Sequence, residues 1–136
     1  MKKLIFTVVL GLSLMFFAGC AKEANLEITY KNGVYKASGD KWEYGSEEAV
    51  VTIENHKIKN INLKRLDQNG DEVDYNMWTG QNVDGKVFPN LKKYRISMKD
   101  EMIEKQTYEV DSISGATVTT ENWKIAVERA LEKAKN

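Results

Sequence analysis

The chain of 136 residues has one cysteine, one proline and one histidine. A single thiol cannot close an internal disulfide, so packing must hold the fold. One cysteine and one histidine also fall short of the ligand set of a soft metal site. His56 sits in a turn signal and reads as an exposed turn residue. Charge of one sign is missing as well, with 20 Lys and Arg against 20 Asp and Glu. No strong field points to nucleic acid. The acidic residues Asp67, Asp71, Glu72 and Asp74 lack calcium-loop spacing and read as a solvated loop. There is no internal repeat and no low-complexity segment. Leu4 to Phe17 is an almost unbroken apolar run, too short to span a bilayer comfortably.

That run follows Lys2 and Lys3 and ends in Ala18-Gly19-Cys20, the layout of a secretory signal. The ending resembles a bacterial lipoprotein box, with Phe17 where Leu is usual. The resemblance implies that Cys20 is the lipid-modified first residue of the mature chain, anchored at the cell membrane on its extracytoplasmic face. An ordinary cleaved signal with a chance cysteine is the other reading. The expected organisation is a signal peptide over 1–19, a lipidated tether over 20–27 and one domain over 28–136. Without Lys2 and Lys3 the mature chain carries eighteen basic residues against 20 acidic ones, a net charge of −2. No basic cluster follows Cys20 to hold an anionic membrane.

The first half reads as strands. Asn32-Gly33 is a preferred type I′ dipeptide and predicts a hairpin that pairs Tyr30 with Tyr35 and Ile28 with Ala37. Ala49, Val51 and Ile53 alternate along a strand over 48–54, and Asn55-His56-Lys57 turns the chain. Ile58, Ile61 and Leu63 continue as its partner. Their apolar phase slips by one, which predicts a bulge or a late strand start. Residues 72–88 read as loop around an apolar island, Met77-Trp78. Pro89 suits the first turn of a helix that runs through Leu91, Tyr94, Met98 and Met102. Tyr108 and Val110 read as extended. Thr119 or Thr120 is the expected N-cap of a closing helix with Glu121 in its first turn. Trp123, Ala126, Val127, Ala130, Leu131 and Ala134 share one face of it and form its core side. The fold class is α+β, an antiparallel twisted sheet with a mid-chain helix and a C-terminal helix packed on it.

Between the extended stretch and the closing helix lies Asp111-Ser-Ile-Ser-Gly-Ala-Thr117. The run is small and polar and presents a hydroxyl at its end. Gly115 and Ala116 allow close approach to the backbone. Ser114 adds a donor. A helix start just after the run favours an anion. Asp111 either orients the turn through an Asx-type bond or is read by a modifying enzyme. By itself the run could be a plain Ser/Gly turn before a helix.

The segment resembles the flavinylation motif of the FMN-binding domain family, which includes the C subunit of sodium-pumping NADH:quinone reductase. The likeness is greatest from Glu104 to Leu131 and looser from Gly33 to Leu66. It implies FMN attached to Thr117 by a phosphodiester bond, with Asp111, Ser114, Gly115 and Ala116 forming the rest of the cofactor site. It implies two partners, a magnesium-dependent FAD:protein FMN transferase and a membrane electron donor of the NADH-dehydrogenase or quinone-linked kind. The chain would then be an electron carrier with no catalytic residues of its own. No base lies near Thr117 in sequence, which fits modification by a separate enzyme. Two other readings are a lipoprotein that binds flavin or another ligand without a covalent bond, as scavenger or sensor, and an interaction lipoprotein without a redox role.

A flavin ring needs a mostly apolar slot. Trp42, Tyr44, Trp78 and Tyr108 are the candidates. Trp78 has no periodic reason to lie in a polar loop and is the leading ring-stacking residue, against a role as a loop anchor. Trp42 and Tyr44 read as edge packing.

Overall fold

The structure is a computed structural model and describes residues 28–135. The leader, Cys20 and the tether lie outside the described residues. Three antiparallel strands form the sheet: β1 (Gly33–Ser38), β2 (Ser46–Glu54) and β3 (Lys57–Leu66), with β2 central. The second half supplies a short hairpin, β4 (Asn82–Val83) and β5 (Lys86–Val87), then α1 (Leu91–Lys105) and α2 (Thr117–Ala134). This is the α+β architecture expected of the sequence. Among the described residues no helix is long and apolar enough to cross a membrane.

The β2–β3 hairpin turns on Asn55 and His56, with φ of 51° and 62°. Two successive positive φ values suit the right-handed twist of a tight hairpin. The slip in apolar phase is a bulge. Thr52 faces Asn60 and Ile53 faces Ile58, so Lys59 is the extra residue. The bulge returns Ile58, Ile61 and Leu63 to one face, where all three are buried with Ala49, Val51 and Ile53. The inner stripe of α2 covers that face with Trp123, Ala126, Val127, Ala130 and Leu131. Trp123 is fully buried, and its indole N–H donates to the carbonyl of Lys64 at 3.0 Å. On α1, Leu91, Met98 and Met102 complete the core.

Several boundaries differ from the sequence expectation. Ile28 to Ala37 is not a hairpin. Tyr30 bridges to Lys135, and the N–H of Lys31 donates to the carbonyl of Ala134 at 2.7 Å. The Asn32 side chain accepts the backbone N–H of His56 instead of building a two-residue turn. The last turn of α2 thus takes the hydrogen bonds that a local strand partner would have used. Pro89 precedes α1 rather than opening it, and Asn90 is the N-cap, accepting from the N–H of Lys93. Residues 72–88 hold more order than expected. Asp74 caps a 3-10 turn over Tyr75–Met77, and Asp84-Gly85 turns β4 into β5 with two positive φ values. Residues 108–111 form no strand. The closing helix begins at Thr117, not after Thr119 or Thr120.

Candidate functional site

The turn at Ile113–Ala116 carries the site. The N–H of Ala116 donates to the carbonyl of Ile113 at 3.1 Å, and Gly115 sits at φ +85°. A side chain there would be strained even though the space around it is open. Ala116 occupies the N-cap position without a side-chain cap. Thr120 supplies what is missing from one turn further on. Its buried hydroxyl accepts the N–H of Ile113 and donates to the carbonyl of Ala116. The expected N-cap threonine is therefore a clasp that holds the preceding turn on the helix.

Thr117 is the first residue of α2 and is exposed. Its hydroxyl has no hydrogen-bond partner among the described residues, so no base among them touches it. The backbone N–H groups of Thr117, Val118 and Thr119 precede the first intrahelical bond, which runs from Thr120 to Ala116. Such free donors and the helix dipole favour a negative group at this point. Ser114 is exposed beside it. Asp111 makes no Asx-type bond to the turn. Ser112 takes the neighbouring contact, donating to the Glu121 carboxylate and holding it below the usual carboxylate range.

Thr117 opens onto a cavity of about 860 Å³. One wall comes from the 72–88 segment, where Trp78 packs edge-on against Phe88 at 5.1 Å between ring centres. The other comes from the β1–β2 connection, where Trp42 and Tyr44 meet edge-on at 5.3 Å. Gly115 to Thr119 close the third side. The fold thus brings Trp42, Tyr44 and Trp78 together with the motif. Tyr108 is excluded, because it lies in a groove at the other end of α2, and its hydroxyl donates to Glu128 at 3.0 Å. His56 lines that distant groove too.

Beneath Trp42 lies a buried ion pair. Glu47 and Arg65 face each other across β2 and β3 and are 0% and 2% exposed. The Arg65 Nε is 3.4 Å from Glu47 Oε1, without hydrogen-bond geometry. Glu47 accepts from the Trp42 indole at 3.2 Å and from the Asn122 amide at 2.9 Å. Burial pushes the Glu47 carboxyl up, against the lowering pull of Asn122, Arg65 and Thr119. The same burial pushes Arg65 down. Sequence reasoning missed both residues, yet a signal was present. Glu47 continues the inward phase of Ala49, Val51 and Ile53, and Arg65 that of Ile61 and Leu63. Opposite charges on the inward face of neighbouring strands mark a buried pair.

The cavity has the volume and apolar walls of a cofactor site. Two tryptophans and a phenylalanine suit a planar ring, and the free N–H groups at Thr117 suit a phosphate. Among the described residues no cluster of His, Cys, Asp and Glu could hold a metal ion.

The family model described as FMN-binding domain matches residues 44–132. The crystal structure of the CPE2226 protein from Clostridium perfringens is similar, with a TM-score of 0.60 and 24% identity over 77% of this chain and 88% of that one. A solution NMR structure from Clostridium thermocellum is similar with a TM-score of 0.53 and 18% identity, over 76% of this chain and 91% of that one. These two likenesses are of fold. No curated protein matches the chain.

Proposed function

The chain belongs to the FMN-binding domain family, and from that membership we propose that it carries FMN covalently on Thr117 and works as a membrane-anchored electron carrier outside the cytoplasm. The observation that carries this reading is the placement of Thr117. Its unpartnered hydroxyl stands at the first turn of α2 and at the mouth of an aromatic cavity.

The Thr117 oxygen would bond to the FMN-side phosphorus of FAD as the pyrophosphate linkage breaks and AMP leaves. The hydroxyl proton would pass to a base of the transferase, since no described residue contacts the Thr117 hydroxyl. The N–H groups of Val118 and Thr119 would be the donors available to the phosphodiester, and Trp42 and Trp78 would be the aromatic residues that hold the ring. A flavin accepts electrons in pairs and releases them singly, so the bound group supplies the redox chemistry. Lipid on Cys20 would keep the carrier at the membrane, near a quinone-linked or NADH-oxidising donor.

Mass spectrometry of the natively produced protein should find an FMN adduct on the 111–117 peptide, and Thr117→Ala should abolish it. An unmodified peptide from cells that have the transferase would sink the covalent reading. A Thr117→Ala protein that stays yellow after gel filtration would favour non-covalent binding in the same cavity. Lipid on a Cys20 peptide, absent after Cys20→Ser, tests the anchor.

A further inference from the structure

The flavin reading leaves the buried pair of Glu47 and Arg65 without a task. Such pairs are a weak source of stability, because desolvating two charges offsets their attraction. This one is held tightly. The Arg65 Nη1 donates to the carbonyls of Ser46 at 3.1 Å and Leu66 at 2.5 Å, and Nη2 donates to that of Tyr44 at 2.6 Å. The guanidinium carbon stands 4.9 Å from the centre of the Trp42 ring. Glu47 is fixed by Trp42 and Asn122.

The pair is also oriented. Arg65 lines the cavity, whereas Glu47 does not. The positive partner is therefore the one in the cavity wall, and the negative partner is held outside it by the Trp42 indole and the Asn122 amide. A preorganised dipole in a poorly solvated wall stabilises the charge that develops opposite it, and it does so without rearrangement. A flavin gains negative charge on reduction.

We propose that the Glu47–Arg65 pair holds the reduction potential of the bound flavin up by presenting a fixed positive end to the ring. Arg65 acts through its field, and Glu47 limits and orients it. The inference rests on the reading that the flavin ring occupies this cavity.

The test is a reductive titration of full-chain protein, produced with the transferase and checked for its adduct by mass. Glu47→Gln should lie above the native potential, because Arg65 is then uncompensated. Arg65→Gln should lie below it. The double variant buries no charge and should also lie below the native protein. Arg65→Lys should fall nearer the native protein than Arg65→Gln does. Shifts of one sign in both single variants, as loosened packing would give, overturn the proposal, as does the absence of any shift. Where a single variant does not fold, the double variant decides by lying below the native protein or not. A native protein without flavin would count against the cofactor reading, whereas a loaded protein without this order counts against the pair alone.

Discussion

The hydroxyl of Thr120 accepts the backbone N–H of Ile113 at 3.1 Å, seven residues back along the chain. The same oxygen donates to the carbonyl of Ala116 at 2.9 Å. One buried side chain thus fixes both ends of the turn that presents Thr117. Thr120→Val keeps the shape and removes both bonds, leaving the Ile113 N–H unpaired. The expected loss is about 1–3 kcal/mol, read from the urea midpoint, and Thr120→Ser should recover most of it. Flavinylation of Thr120→Val should be slower than native in a time course with the transferase.

Thr117 itself bears no structural load. Its side chain is exposed and unpartnered, so Thr117→Ala should alter stability by no more than about 0.5 kcal/mol. Urea unfolding of cofactor-free protein checks this. A large loss would mean that the hydroxyl holds the turn and that a missing adduct reflects misfolding.

Gly45, next to Tyr44 of the cavity wall, makes a close backbone approach to β3. Its φ is +128°, and an added Cβ would stand 2.1 Å from the carbonyl oxygen of Leu66 and 2.8 Å from Arg65 Nη1. Gly45→Ala must therefore displace β3 or the Arg65 clamp as well as adopt a strained backbone. The expected cost is about 3 kcal/mol, seen as a lower thermal midpoint. A neutral result would show that the wall yields easily.

Stability should depend on pH through Glu47. Its folded carboxyl is raised above the ordinary value of 4.5, so the folded state holds the proton more tightly than the unfolded chain. The contribution is complete below the ordinary carboxylate value and is lost as pH rises through the raised one. Glu121 acts in the opposite sense, since Ser112 lowers it; its contribution is present above the ordinary value and lost as pH falls. Denaturation series between about pH 4 and 8 should show the Glu47 slope in native protein and not in Glu47→Gln. An identical slope in both would assign it to another group.

The apolar periodicities made the sheet and both helices legible. Alternation at Ala49, Val51 and Ile53 and the stripe from Trp123 to Ala134 report burial directly, and the slipped phase at Ile58 reported the bulge. The hairpin over Ile28 to Ala37 was misread because a turn dipeptide does not reveal that α2 will compete for Tyr30 and Lys31. The start of α2 was misread because threonine suits an N-cap by type, while Thr120 does that work from inside the helix. In the cavity, Trp78 was legible as an aromatic out of pattern. Trp42 and Tyr44 were candidates too but read as edge packing, since only the fold sets them around one cavity with residues 115–119.

Tyr30 and Lys31 meet the last residues of α2, whereas Thr117 begins it. Eighteen helical residues span about 27 Å. Any leash upstream of Ile28 therefore leaves the domain at the pole remote from the cavity. An anchor at Cys20, as proposed, would thus hold the end of the domain away from the cavity and leave the site to a partner on the far side.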